Sequence, residues 1–177
     1  MDCELHLEDY GFTEYREFDI GLIRIDQTVR DLCTQNTCGQ YNRNHMCPPA
    51  IKGIEEWREE ISSYTHAVLV SKFYPTQGGY DFKAWFEGIR DFQKTLAKVK
   101  EDLEARCPDK RFLFLGAGGC FLCERCTYPE GKPCRFPEKT FPSLEACGID
   151  VVRLSRDAGV RYNNGKNTVT YIGGILF

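Results

Sequence analysis

The sequence predicts a single α/β or α+β domain spanning residues 1–177, in which a sheet of about four to five strands packs against helices. Three observations favour this class: short apolar runs that end at Gly or Pro, one long amphipathic helix pattern, and ten cysteines that are mostly confined to two polar segments. A chain of 177 residues with 42% hydrophobic side chains can bury one core of its own. The two cysteine-rich segments are then expected to be long, functional loops.

The strands are predicted from short apolar or alternating runs bounded by turn residues. The run at 67–74 is the clearest, because Pro75 and the Gly78-Gly79 pair end it. In the last run, Gly173-Gly174 is expected to interrupt the strand. The four predicted strands cover residues 18–26, 67–74, 112–115 and 168–177.

Short helices are predicted where apolar residues recur at helical spacing or where capping residues stand in the right place. The first covers residues 27–32 and leads to Cys33, and a second carries Ile54, Trp57, Ile61 and Tyr64 at 3-4-3 spacing. Ser143 and Asp150 are predicted N-caps of two more helices, which end at Gly148 and Gly159.

The strongest periodicity predicts a long helix that starts after Asp81 as its N-cap and ends before Pro108. Its stripe includes three aromatic residues, which suit a globular core better than a narrow coiled-coil seam. We therefore predict a core helix laid on the sheet, with a dimeric coiled coil as the alternative. The stripe consists of Phe82, Trp85, Ile89, Phe92, Leu96, Val99 and Leu103.

The balance of acidic and basic residues argues against two classes of binding partner. A formal net charge of −3 gives no basic excess for binding nucleic acid or an anionic membrane. No apolar run approaches the ~18 residues of a membrane helix, and no apolar stretch follows a basic start. We therefore predict a cytoplasmic protein, in a compartment where thiols stay reduced.

The strongest functional motif is Cys120-x2-Cys123-x2-Cys126-x7-Cys134. A tight loop can place successive thiolates on separate irons of a cubane [4Fe–4S] cluster. A single zinc ion usually receives Cys-x2-Cys pairs from two separate turns, because four ligands must converge on one point. The motif thus favours an iron–sulfur cluster bound by these four cysteines, with zinc as the alternative.

A second group of cysteines lies in a polar, Asn-rich segment: Cys33-x4-Cys38-x8-Cys47, followed by Pro48-Pro49. Either Cys47 borders the first site, or the three cysteines hold a metal of their own, so that two clusters are present. Three cysteines on a cluster would leave one iron open to substrate, water or another ligand. His45 is a candidate for that ligand. Cys3, Cys107 and Cys147 lack comparable spacing, and Cys147 is expected to be buried.

These motifs resemble the predicted metal-binding proteins called domain of unknown function 2284. The resemblance is carried by the Cys120–Cys126 run, by PCRxPE over residues 133–138, by PSxEAxGIDV over residues 142–151, and by the upstream cysteines with Pro48-Pro49. It covers nearly the whole chain and implies a bound metal, in the form of an iron–sulfur cluster, in small proteins common among anaerobes. It does not supply a reaction.

Two further residues gain interest from this resemblance. Arg135, next to Cys134, can neutralise a cluster or clamp an anionic group. Glu145 can cap a helix or orient a donor near the metal. The alternative for both side chains is a structural salt bridge.

Three functions follow. The leading one is a redox role, in which the protein transfers electrons to or from a partner protein or small molecule, or supports a redox enzyme. The second is a zinc-stabilised interaction module without a redox role. The third is an enzyme whose open cluster iron, held by Cys33, Cys38 and Cys47, binds substrate directly. The sequence defines neither the redox partner nor the oligomeric state.

Overall fold

A computed structural model describes residues 6–177 and contains four α-helices and four strands, together with short 3-10 helices. Cys3 lies outside the described residues. No helix within residues 6–177 combines the length and the apolar character needed to cross a lipid bilayer. The elements are β1 (Glu14–Phe18), α1 (Gln27–Asp31), α2 (Ile54–Ser62), β2 (Ala67–Pro75), α3 (Phe82–Arg106), β3 (Leu113–Leu115), α4 (Val151–Ala158) and β4 (Thr168–Leu176).

The four strands form one sheet in the order β1-β2-β4-β3, and every neighbouring pair is antiparallel. The two central strands, β2 and β4, pair over nine residues each. A parallel pair of strands requires a crossover connection, which is typical of the α/β class. This sheet contains antiparallel pairs only. The fold is therefore α+β, which decides between the two predicted classes.

Helices cover both faces of the sheet, and the side chains of β2 explain how. Val68 and Val70 are buried together with the apolar stripe of α3. Ala67 and Leu69, which point the other way, are buried with residues of α2 and α4. A strand buried on both faces reads as a continuous apolar run, which is why residues 67–70 show no alternation.

The long helix α3 confirms the core-helix prediction. Asp81 caps it, with Oδ1 accepting a hydrogen bond from the Ala84 backbone N–H at 3.1 Å. The stripe residues Phe92, Leu96 and Leu103 have no exposed surface, because the chain's own sheet covers them. Only the first turn of the stripe reaches solvent, where Phe82 is 58% exposed.

The predicted strand over residues 18–26 is wrong. The strand lies earlier, at β1, and a 3-10 helix over Ile20–Leu22 follows it. Asp19 causes the break, because its side chain accepts a hydrogen bond from the Gly21 N–H at 2.8 Å and closes a turn. The apolar residues beyond this turn still pack against the core beside α2 and α4, which accounts for their loose alternation.

Two further short helical segments lie close to where the predicted capping residues place them. The Ser143 hydroxyl accepts a hydrogen bond from the Ala146 N–H at 3.1 Å, although the N-cap of the 3-10 helix over Glu145–Cys147 is Leu144, one residue after the predicted cap. Asp150 Oδ1 accepts one from the Arg153 N–H at 3.0 Å and caps α4. Both segments end at glycines with positive φ, as predicted.

The expected interruption of the last strand at Gly173-Gly174 is also wrong, since β4 runs through both residues. The glycines serve close packing instead. A Cβ atom on Gly173 would lie 2.6 Å from the Leu115 carbonyl oxygen and 3.2 Å from Phe92 Cζ. Gly173 thus lets β3 and α3 approach β4 more closely than any larger residue would allow.

We expect Gly173→Ala to lower the free energy of unfolding by about 1–3 kcal/mol, because the added methyl group overpacks the core against backbone. Denaturant unfolding measures this loss. Gly174→Ala is the matched control, since its Cβ would meet nothing closer than 3.5 Å. Equal stability losses in the two variants would contradict this account of Gly173.

Candidate metal centre

Four cysteines of the strongest motif surround one cavity. Cys120, Cys123, Cys126 and Cys134 all line a space of about 370 Å³. The other three thiols also act electrostatically on Cys120, which places them in its neighbourhood. The structure therefore brings together the four residues that the spacing singles out, and their role as ligands stays a prediction.

Helix α3 positions the start of this cysteine loop through two polar side chains. Gln93 donates from Nε2 to the Gly119 carbonyl oxygen at 2.7 Å and accepts at Oε1 from the Phe121 N–H at 3.1 Å. Arg90 donates from Nε to the Phe121 carbonyl oxygen at 3.1 Å. These bonds fix the backbone on both sides of Cys120 to a helix that is anchored in the core.

The two cysteine-bearing segments dock directly on each other at Gly119. This glycine is buried, and a Cβ atom on it would lie 2.5 Å from Gln40 Cγ and 2.9 Å from Gln40 Cβ. The Gln40 side chain in turn accepts a hydrogen bond from Asn44 Nδ2 at 3.1 Å. The short, glycine-rich connection after β3 therefore permits a close approach of the segment that carries Cys38 and Cys47.

A second contact between the segments involves His45. Its ring lies edge-on to Tyr128 with centroids 5.3 Å apart, and its Nε2 lies 3.4 Å from Thr127 Oγ1. The buried Thr127 hydroxyl donates to the Pro133 carbonyl oxygen at 2.8 Å. His45 was predicted as a candidate ligand beside Cys33, Cys38 and Cys47, but its side chain faces the other cysteine segment and lines the cavity there.

Hydrogen bonds to sulfur are present at three of the seven candidate cysteines. The Phe136 N–H donates to Cys134 Sγ at 3.4 Å, and the Leu122 N–H donates to Cys120. The buried Asn44 side chain donates from Nδ2 to Cys47 Sγ at 3.4 Å. Bonds of this kind stabilise negative charge on sulfur and tune the redox potential of a bound iron–sulfur cluster.

Burial opposes ionisation of two of these thiols. It raises the pKa of Cys120 to about 11 and that of Cys47 to about 12, while the hydrogen bonds to their sulfurs act in the opposite direction. Both groups are thus protonated thiols at neutral pH in the metal-free protein. Because metal ligands are thiolates, metal binding here must release protons.

The upstream cysteines differ in exposure but interact with one another. Cys33 lies in a 3-10 helix over Leu32–Gln35, Cys38 is exposed, and Cys47 is only 7% exposed. Burial is the main cause that raises the pKa of Cys33, and Cys38 adds to it; burial likewise raises the pKa of Cys47, and Cys38 and Cys33 add to it. Cys120 also adds to the raised pKa of Cys47, so Cys47 interacts with cysteines of both segments. Within residues 6–177, no three Cys, His, Asp or Glu side chains form a group that could hold a single metal ion.

Basic side chains surround the cavity of the C-terminal cysteines. Arg43, Arg125 and Arg135 line it, against one carboxylate, that of Glu124. Arg135 Nη1 donates to the Arg125 carbonyl oxygen at 2.8 Å and so ties the loop to itself. Positive charge at this place would offset the negative charge of thiolates on any metal bound there.

Gln93 is the site residue that sequence reasoning missed. It is only 6% exposed and stands next to Phe92 on the buried side of α3. A buried polar side chain needs partners, so a glutamine between core positions is a signal that another segment docks there. The sequence alone does not say which segment that is.

We expect Gln93→Leu to lower the free energy of unfolding by about 1–3 kcal/mol, because the Gly119 carbonyl and Phe121 N–H would lose their partner. Hydrogen exchange at the Phe121 amide should become faster as well. Lys94→Ala, at an exposed position of the same helix, is the control and should change neither quantity. Unchanged exchange at Phe121 in Gln93→Leu would show that the glutamine does not hold the loop.

An α+β fold with a cavity lined by four cysteines defines this chain as a cysteine-rich protein with a candidate metal centre. It belongs to the family of predicted metal-binding proteins described as domain of unknown function 2284 (DUF2284), whose model matches residues 16–177. The family predicted from the sequence is thereby confirmed. Comparisons with curated proteins and with solved structures gave no match.

Proposed function

We propose that this protein binds a [4Fe–4S] cluster through Cys120, Cys123, Cys126 and Cys134 and uses it in electron transfer, or in support of a redox enzyme. The observation that carries this proposal is the arrangement of all four cysteines around one cavity. Membership of a predicted metal-binding family supports the coarser statement that a metal is bound.

The choice of a cluster over zinc depends on the donor set and its surroundings. Four soft thiolates suit either metal, but a structural zinc site closes around one ion with Zn–S distances of about 2.3 Å. Here three of the cysteines follow at x2 spacing in one loop, and together with the facing segment they line a cavity of about 370 Å³. A loop of this kind can reach separate irons of a cubane.

The position of the site suits electron exchange with a partner. Cys123, Cys126 and Cys134 are partly exposed, so one side of the site faces the protein surface, while Gln93 and Arg90 hold the Cys120 side against α3. Arg43, Arg125 and Arg135 are exposed at the same surface. They can offset the cluster's charge and attract the acidic surface of a redox partner.

A redox titration of anaerobically purified protein tests this proposal. We expect a brown protein whose visible absorbance decreases on reduction with dithionite and returns on mild reoxidation. Cys147→Ala is a control, because Cys147 is fully buried away from the cavity and should leave this behaviour unchanged. A colourless protein that binds zinc and shows no redox response would support the structural zinc module instead.

A further inference from the structure

Five aromatic side chains lie next to one another where the start of α3 meets the cysteine loop. The Phe82 ring contacts those of Tyr80 and Trp85, with centroids 6.5 and 5.1 Å apart. Phe86 follows Phe82 by one helical turn, so these two rings share a face of α3. The Phe86 ring in turn lies edge-on to Phe121, with centroids 5.2 Å apart. We refer to these five residues together as the aromatic patch.

Within residues 6–177, much of the aromatic patch is exposed to solvent. Tyr80 is 84% exposed, Phe82 58% and Phe86 46%. Further along the same helix, by contrast, Phe92 is completely buried against the sheet. Single apolar side chains at a surface are common, but several exposed rings in contact with one another are typical of a binding surface. Burial of these rings by a partner would be favourable.

The aromatic patch borders the cavity of the C-terminal cysteines. Phe121 lies between Cys120 and Cys123 in the chain, and all three residues line that cavity. Arg90 holds Phe121 in this place, because its Nε donates to the Phe121 carbonyl oxygen at 3.1 Å. A protein that covers the patch therefore lies beside the cysteine site.

The charges around the patch and the cavity are mainly basic. Arg90 is exposed one turn beyond Phe86, and three further arginines line the cavity beside the single carboxylate of Glu124. On the patch itself, Lys83 and Glu87 form an ion pair at 3.9 Å. An apolar surface with a basic border is complementary to a partner whose apolar contact area is bordered by carboxylates. A twofold contact between two copies of this chain would instead bring the same arginines together, which disfavours self-association.

We propose that the aromatic patch is the docking surface for a small, acidic electron-carrier protein that exchanges electrons with the cluster at the neighbouring cysteines. This inference rests on the proposed function. In each encounter one electron moves from the cofactor of the reduced carrier to the cluster, so that the carrier is oxidised by one electron and [4Fe–4S]²⁺ becomes [4Fe–4S]⁺. No bond is formed or broken and no proton is transferred. The rings supply the apolar centre of the contact, and the arginines orient the carrier.

Stopped-flow reduction of the anaerobic, cluster-containing protein by two reductants tests this surface. One reductant is a small acidic flavodoxin in its hydroquinone form, and the other is dithionite, which needs no docking surface. Phe82→Ser/Phe86→Ser should lower the second-order rate constant for reduction by flavodoxin about tenfold or more, because aromatic anchors dominate the affinity of such contacts. Its reduction by dithionite should be unchanged. Higher salt should slow the flavodoxin reaction of the wild type, since salt screens the arginines.

Val152→Ser is the matched control, because it removes an apolar side chain that is 55% exposed on α4, at the opposite face of the sheet from α3. It should react with both reductants as the wild type does. Circular dichroism shows whether the double variant is folded. If it is not, Phe82→Ala replaces it, since truncation of this exposed ring should cost little stability.

The outcomes separate this inference from the proposed function. Equal flavodoxin rates in wild type and double variant, or no flavodoxin reaction at all, would overturn the docking surface, while reduction by dithionite would leave the redox cluster standing. A wild-type dimer that the double variant abolishes, or binding to anionic lipid vesicles that it abolishes, would also overturn the proposal, because the patch would then serve that other contact. A colourless protein that reacts with neither reductant would overturn the proposed function and the docking surface together.

Discussion

Cys120→Ser/Cys123→Ser/Cys126→Ser should remove the metal of the C-terminal site and lower the melting temperature by about 10 °C. The segment between β3 and α4 contains only short 3-10 helices, so a bound cluster would supply much of its order. Metal binding energy is folding energy where the site does not exist in the unfolded chain, and about 4 kcal/mol corresponds to a shift of roughly this size. Each single serine variant should already lose most of the metal.

The experiment compares bound iron and thermal unfolding of anaerobic wild-type and variant proteins. Cys147→Ala again serves as the control for bound iron, because it removes a cysteine that does not line the cavity. A triple variant that keeps its full iron content and its melting temperature would show that these cysteines are not ligands.

Phe92→Ala should lower the free energy of unfolding by about 3–5 kcal/mol, through lost burial and the cavity that remains. The Phe92 ring has no exposed surface and packs edge-on against Phe12, with centroids 6.2 Å apart. Denaturant unfolding gives the magnitude. Phe82→Ala is the matched control on the same helix and the same stripe, because Phe82 is 58% exposed and its truncation should cost little.

This comparison also tests the alternative of a coiled coil. A loss below about 1 kcal/mol in Phe92→Ala, together with dissociation of a dimer, would contradict a core helix and favour a seam between two chains. If Phe82→Ala and Phe92→Ala lowered the free energy of unfolding equally, burial against the sheet would not explain how much each stripe residue contributes to stability.

Local patterns predicted much of the fold because they report burial directly. The stripe of α3, the caps at Asp81 and Asp150, and the strand at residues 67–74 all follow from spacing and from residue types at the ends of elements. The strand order does not follow from them, because β2 and β4 pair across about a hundred residues of chain. The hydrophobic pattern also gave the wrong prediction at Asp19 and at Gly173. It does not report the turn that the Asp19 side chain closes, nor the close packing that Gly173 allows.

The candidate site, too, was predictable only in part from the sequence. Cysteine spacing identified the residues around the cavity, because a loop that binds a cluster places its ligands close together in sequence. The groups that contact this loop come from elsewhere in the chain: Gln93 of α3 hydrogen-bonds to Gly119 and Phe121, and Gln40 of the facing segment packs against Gly119. His45 stands beside the upstream cysteines in sequence but contacts Thr127 and Tyr128 of the other segment, because proximity in sequence does not define which way a loop residue points.

The proposed redox role depends on an iron–sulfur cluster held by Cys120, Cys123, Cys126 and Cys134. The most direct measurement is quantitative analysis of iron, acid-labile sulfide and zinc in the protein purified without oxygen, for the wild type and for Cys120→Ser/Cys123→Ser/Cys126→Ser. We predict iron and sulfide in equal amounts in the wild type, and four fewer of each per chain in the variant, because one cubane contains four of each. One zinc per chain without sulfide, or iron and sulfide unchanged in the variant, would contradict this cluster assignment.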